Sequence, residues 1–295
     1  MMKTLVMPNN LSDIDKYKDN DGFIIGVKDL SWFIPLELSI VEVKDISPKI
    51  KEKGKELFVS LNKIIYNQDI PLLKEYLLIL DDLGLSGIMY DDIAVFNIAK
   101  NMSLKTPLVW FGTHAFTNYH TANYWYNKGV KYGVVGTEIT LDKIKEISNN
   151  TEMSLMMYGY GYLPMFVSSR PLISSYFKHI GGTKEDKVYH MYEEARKMSY
   201  PTYEDSKGTV ILSAEIINTI NELPIINKTI DYLILSSLNI PSDKFLKVYN
   251  NYIEAINNLE DKEKLNTISK SVANNSPAKT DKGFLYKETI YRVKE

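Results

Sequence analysis

The chain of 295 residues contains no cysteine. That absence excludes disulfides, thiolate zinc sites, a cysteine nucleophile and any iron–sulfur cluster held by the chain's own thiolates. An excess of charge of either sign is also lacking, since 35 Lys and Arg face 37 Asp and Glu. Such a balance argues against a protein that lives by coating phosphate backbone, although it leaves room for a local basic stripe. No apolar stretch approaches the roughly 18–20 residues that span a bilayer. The start, Met1-Met2-Lys3-Thr4-Leu5, lacks the basic region and apolar run of a signal peptide and reads directly as a strand. The expectation is a soluble, cytoplasmic chain without membrane contact, long enough for one large core or two small ones. Catalytic signatures are missing as well: there is no HExxH, GxSxG, Walker A or paired CxxC. Ser168-Ser169 lack the flanking glycines of a nucleophile elbow.

What is present is a repeated alternation of short apolar runs with helical patterns, which favours a parallel sheet. The runs are residues 4–7, 23–27, 56–61, 87–90, 107–111, 132–136, 153–158 and 232–236. They are continuous rather than alternating, as in strands buried on both faces. Between them, residues 70–83 place Leu73, Leu77 and Leu80 on one stripe, with Gly84 as a stop. Asp92 to Asn101 offers Val95, Ile98 and Ala99 as an apolar face, and Thr140 is placed to cap a stripe of Leu141, Ile144 and Ile147. Ser242 is placed to cap a longer helix carrying Phe245, Tyr249, Tyr252, Ile256 and Leu259. Eight β/α units in about 260 residues match a (β/α)8 barrel of the TIM type. An open doubly wound sheet is disfavoured, because Met7-Pro8-Asn9-Asn10 is no glycine-rich phosphate turn.

Two segments exceed a minimal barrel. Residues 160–230 are far too long for an ordinary connection. They contain Ser199 to Tyr203 and Thr209 to Leu212, joined through Lys207-Gly208 as in a β-hairpin. The reading is therefore a barrel over 1–260 with an inserted hairpin segment, and a C-terminal extension over 261–295. In that extension a polar stretch (269–282) reads as a linker, followed by an amphipathic last strand that is expected to dock.

A TIM-type barrel works at the C-terminal ends of its strands. That face collects Asn9, Asn10, Gly26, Lys28, Asn62, Asp91, Asp92, Thr113, His114, Thr137, Glu138, Tyr158, Tyr160, Ser236 and Ser237. Asp91 and Glu138 suit general acid–base work or a hard metal, while Asp92 equally suits a helix N-cap. His114 is either a catalytic base or a surface residue of a polar aromatic loop that also carries His120. Asn62, Asn118 and Tyr160 are candidate substrate contacts. Arg170 either clamps a carboxylate or phosphate or sits in a structural ion pair. Asp81-Asp82 precede the fourth run and belong to the opposite face, as a solvated helix end.

Four blocks carry a family resemblance. They are Thr117-Asn118-Tyr119 through Asn123-Tyr124-Trp125 with Lys128-Gly129, then Val134-Val135-Gly136-Thr137-Glu138-Ile139-Thr140, then residues 161–173, and Tyr200-Pro201 through Asp205, Gly208 and Leu212-Ser213. In these the chain resembles the U32 peptidases, also called collagenase-like proteases. The resemblance implies a TIM-type barrel and, by the family's name, a peptidase. Better-understood relatives hydroxylate RNA bases or quinone precursors with a cluster held by four cysteines. Two of those cysteines fall where this chain has Pro164 and Pro171. The resemblance thus leaves a peptidase, a cysteine-free partner of a cysteine-bearing U32 paralogue in tRNA uridine hydroxylation, and a non-catalytic binding barrel. No cofactor or metal is expected on the chain's own ligands, and the substrate is a peptide or an RNA.

Overall fold

The computed structural model describes residues 2–113 and 115–287. Its centre is a closed barrel of eight parallel strands: Lys3–Met7, Gly22–Val27, Glu56–Leu61, Gly87–Tyr90, Leu108–Trp110, Tyr132–Val134, Ser154–Gly161 and Tyr232–Ser236. Each pairs with the next, and the eighth closes on the first with Leu5 opposite Ile234. All eight apolar runs form these strands. Almost every strand residue is buried, as expected where side chains fill the barrel on one face and meet helices on the other. Phe58, Tyr132 and Tyr232 meet edge to face inside the barrel, with ring centres 5.7–5.9 Å apart.

The helical layer is Ile40–Glu52, Ile70–Asp81, Ile93–Asn101, Tyr119–Asn127, Leu141–Asn149 and Ser242–Ile256, with only a 3-10 turn, Leu11–Lys16, after the first strand. Leu73, Leu77 and Leu80 are the buried stripe of the second helix, as their spacing predicts. Thr140 accepts from Lys143 N and caps the fifth. Ser242 does not cap its helix. Pro241 takes that position, and the Ser242 hydroxyl donates to Asp13 at 2.8 Å across the mouth of the first strand. The loop expected around His120 is the helix Tyr119–Asn127.

The inserted segment is larger than a hairpin. Met198–Asp205 and Gly208–Leu212 form the predicted pair, and Tyr189–Glu193 and Pro164–Ser168 flank them in a four-stranded antiparallel sheet. Lys207, in the hairpin turn, places its ammonium 2.6 Å from both carboxylate oxygens of Glu37, beyond the second barrel strand. This clamp seats the sheet over the barrel mouth. Gly161 ends the seventh strand at φ 130, a region closed to residues with a Cβ. A Cβ there would also lie 2.9 Å from Ser236, so the turn into the insert requires glycine.

The first half of the polar stretch expected as a linker (269–275) is the end of a helix. Lys262–Asn275 buries Leu265, Ile268 and Val272. Thr280–Asp281 then pairs with Ile216–Ile217, which itself continues antiparallel from the seventh strand. Leu285 is buried and its carbonyl accepts from Leu141 N. The remainder of the expected last strand (288–293) lies outside the described residues.

Candidate functional site

At the C-terminal ends of the second to fifth strands lies a cavity of about 470 Å³. Its size falls in the usual range for small-molecule sites, roughly 300–1,000 Å³. All three tryptophans of the chain, Trp32, Trp110 and Trp125, line it. Phe33, Asp91 and Lys63 add to its wall, and Val167 closes one side from the inserted sheet.

Trp32 and Phe33 sit in the loop after the second strand. The Asn62 amide fixes that loop by accepting from Trp32 N at 2.9 Å and donating to Trp32 O at 3.0 Å. Ser31 adds a second anchor, accepting from Val27 N and donating to Ser60 O. These bonds hold two non-glycine residues, Asp29 at φ 74 and Phe33 at φ 44, in the left-handed region. Such backbone persists only where its surroundings over-determine it. The Trp32 indole nitrogen is buried and has no hydrogen-bond partner among the described residues. Trp110 and Trp125 pack with centroids 5.4 Å apart. Gly112 allows this wall, because a Cβ there would lie 2.5 Å from the Trp110 ring.

Asp91 is the cavity's main polar group. Its Oδ2 accepts from the Thr113 hydroxyl at 2.7 Å and its Oδ1 from Thr113 N at 3.3 Å. Burial pushes its carboxyl up to about 7, against the lowering effect of the Thr113 bonds and with a small push from neighbouring Asp92. Asp92 is an N-cap: Oδ1 accepts from Ala94 N at 2.8 Å and Oδ2 from Ile65 N at 3.0 Å. Lys63 lies 3.3 Å from Asp69. Across the mouth, Ser237 donates to Met7 O at 2.7 Å and Asn9 donates to Ile240 O at 2.6 Å. The first and eighth strand ends are thereby tied to each other.

Of the residues singled out in the sequence, the fold brings Asn62, Asp91, Asp92 and Thr113 into this one cavity. Asn118 caps the helix Tyr119–Asn127, accepting from Thr121 N. Tyr160 is fully buried toward the helical layer, against Phe245 and Tyr252, and its hydroxyl bonds Ser276. Glu138, half-buried after the sixth strand, and Arg170, exposed at the end of strand Pro164–Ser168, do not line the cavity. His114 lies outside the described residues. Asp81 is no mere solvated end: it accepts from Lys105 N and Thr106 N and positions the start of the fifth strand. The tryptophans went unread as site residues, although a residue type occurring three times in 295 is itself a signal.

Pro164 opens a strand paired to Leu212, and Pro171 precedes the helix Leu172–His179. Proline offers no donor atom to iron, so the residues at these two positions do not fit a thiolate-held cluster. Among the described residues no group of three His, Asp or Glu side chains is placed to hold a metal.

A sequence model of peptidase family U32 matches residues 20–294. The chain belongs to peptidase family U32. Within that U32 setting it is similar to tRNA hydroxylation protein P2 of Bacillus subtilis, 29% identical over 303 aligned positions that cover 97% of this chain and 98% of P2. It is also similar to tRNA hydroxylation protein P1 of the same organism, 19% identical over 47% of this chain and 33% of P1. The solved structure of a U32 peptidase superposes with a TM-score of 0.53 at 14% identity, covering 80% of this chain and 92% of that one. That likeness shows the shared fold. No helix among the described residues is long and apolar enough to cross a membrane.

Proposed function

We propose that this U32 chain works in tRNA uridine hydroxylation as a cysteine-free partner of a cysteine-bearing U32 paralogue, which carries the oxidative step. The observation that carries the reading is the end-to-end similarity to P2, which leaves almost no part of either chain unmatched. Similarity to P1 of the same organism supports a process shared by two related chains. Zero cysteines, with Pro164 and Pro171 at the two positions where the family resemblance would place cysteine, support a division of labour in which this chain binds and its partner oxidises. The cavity supports it too, since its wall is aromatic. Deleting the gene and quantifying hydroxyuridine in total tRNA tests the reading. Loss of the modification, restored by the intact gene, is the expected result, and an unchanged level overturns it.

One observation favours the peptidase reading carried by the family name. A carboxyl near 7, as at Asp91, is poised for general-base work at neutral pH. On that reading the purified chain cleaves peptides, and Asp91→Asn or Glu138→Gln abolishes cleavage. The same reading would add His114 to the catalytic set beside Asp91 and give Arg170 to the substrate. Absence of turnover on collagen-like and unstructured peptides removes it.

A further inference from the structure

We propose that the tryptophan-lined cavity at the ends of the second to fifth strands is a binding site for a single pyrimidine base, flipped out of an RNA strand, and that Asp91 reads its edge. The site and its ligand class rest on the tRNA reading above.

Three features of the cavity select such a ligand. Its wall is aromatic: Trp110 and Trp125 line it, and bases stack on such rings irrespective of sequence. Its polar groups are few and local. The Asn62 amide is consumed by the Trp32 backbone and Asp92 by its helix cap, which leaves the Asp91 carboxyl with hydrogen-bonding capacity to spare. The N3–H of a uracil ring is the donor that such a carboxyl accepts. The third feature is charge. Lys63 already pairs with Asp69, and Asp92 is held by the helix cap, so the wall has no uncommitted cation to hold an anion. A neutral ring carrying its phosphate outside the cavity needs none.

The ionisation of Asp91 adds a directional consequence. A protonated carboxyl both donates and accepts, and so matches the adjacent N3–H and O4 of uracil, while a carboxylate faces O4 with a second acceptor. Burial holds this carboxyl up to about 7. Among the described residues the charged and titratable groups around it are Asp92, Lys63 and Tyr158, and the tyrosine hydroxyl is itself pushed upward by burial. Binding of the base therefore weakens as pH rises above about 7.

The chain supplies its own probe, because every tryptophan lies in the cavity wall. Uridine 5′-monophosphate is titrated into the full chain while intrinsic tryptophan fluorescence is recorded, with ribose 5-phosphate and guanosine 5′-monophosphate as comparators. The expected result is saturable quenching by the uridine nucleotide at least tenfold tighter than by either comparator. Asp91→Ala and Trp125→Leu each weaken it about tenfold, Asp91→Asn preserves it and removes its pH dependence, and circular dichroism confirms that each variant folds. No saturable quenching, equal response to ribose 5-phosphate, or Asp91→Ala and Trp125→Leu binding like the unaltered chain overturns the proposal. The two readings fail separately. If gene deletion removes tRNA hydroxyuridine but the nucleotide does not bind, the base site is wrong and the tRNA reading stands. If the nucleotide binds as expected but deletion leaves the modification intact, the tRNA reading is wrong and the site stands.

Discussion

The Thr113 hydroxyl donates to Asp91 Oδ2 at 2.7 Å, and the Thr113 amide reaches Oδ1 at 3.3 Å. Both bonds favour the charged carboxylate, yet burial outweighs them and lifts the carboxyl to about 7. An acid whose folded value exceeds its unfolded one contributes stability that is complete below the unfolded value, near 4, and is lost as pH rises through 7. Asp91→Asn removes that dependence. Denaturant melts should show the variant gaining on the unaltered protein by ~2 kcal/mol between pH 5 and pH 8, the full linkage value being reduced by the cavity's access to solvent. Parallel stability–pH curves would contradict the assignment.

Glu204 behaves in the opposite sense. Burial alone would raise its carboxyl, but hydrogen bonds from Ser174 and Ile173, with Lys184 nearby, prevail and hold it below the ordinary range. It accepts from Ile173 N at 2.7 Å and Ser174 N at 3.0 Å, and so anchors the first turn of Leu172–His179 to the inserted sheet. Its contribution is present above the unfolded value and lost as pH falls through the lower folded one. Glu204→Gln should cost about 1–3 kcal/mol at pH 7 and less at pH 3, because protonation of the unfolded chain has begun to remove the carboxylate's advantage there. Chemical denaturation at the two pH values decides it.

Removing the Lys207 ammonium leaves Glu37 with no compensation for its burial, and breaking one side of a buried pair costs about 3–5 kcal/mol at its most severe. Lys207 keeps 12% and Glu37 23% of side-chain exposure, so the lower end applies. In Lys207→Ala, hydrogen exchange should accelerate across Met198–Asp205 and Gly208–Leu212 and stay slow in the barrel strands. Uniform acceleration would show that the clamp supports the whole fold instead.

Asn62→Ala severs two buried bonds to Trp32 and frees a loop held at positive φ. The expected cost is about 2–4 kcal/mol, from two unsatisfied backbone groups and a small cavity. Near-ultraviolet circular dichroism should change while the far-ultraviolet spectrum stays the same. An unchanged near-ultraviolet spectrum would mean that Trp32 is positioned by other contacts.

Strands buried on two faces leave continuous apolar runs, which is why all eight barrel strands were readable. Helices were readable where a stripe is strict, as in Leu73, Leu77 and Leu80, and less so elsewhere. The helix Ile40–Glu52 carries Pro48 and a diluted apolar face that mask its period, although Ser39 and Glu42 form a reciprocal capping box visible in the sequence. Two strands of the inserted sheet escaped notice because Tyr189–Glu193 is polar and exposed and Pro164–Ser168 is an edge opened by proline. Ser242 looks like a cap from its neighbours, but its partner, Asp13, lies at the other end of the sequence. The site divides the same way. Asp91 and Asn62 are legible from their positions after strands, whereas Trp32, Trp110 and Trp125 belong to a loop, a strand and a helix that only the packing of neighbouring β/α units brings to one cavity.

Hydroxyuridine in total tRNA, from cells whose only copy of this gene carries Asp91→Ala or Trp125→Leu, tests the account most directly. Mass spectrometry of digested tRNA should show the modification falling toward the level of the deletion strain, with the variant chains at normal abundance. Full hydroxylation in both variants would contradict the account.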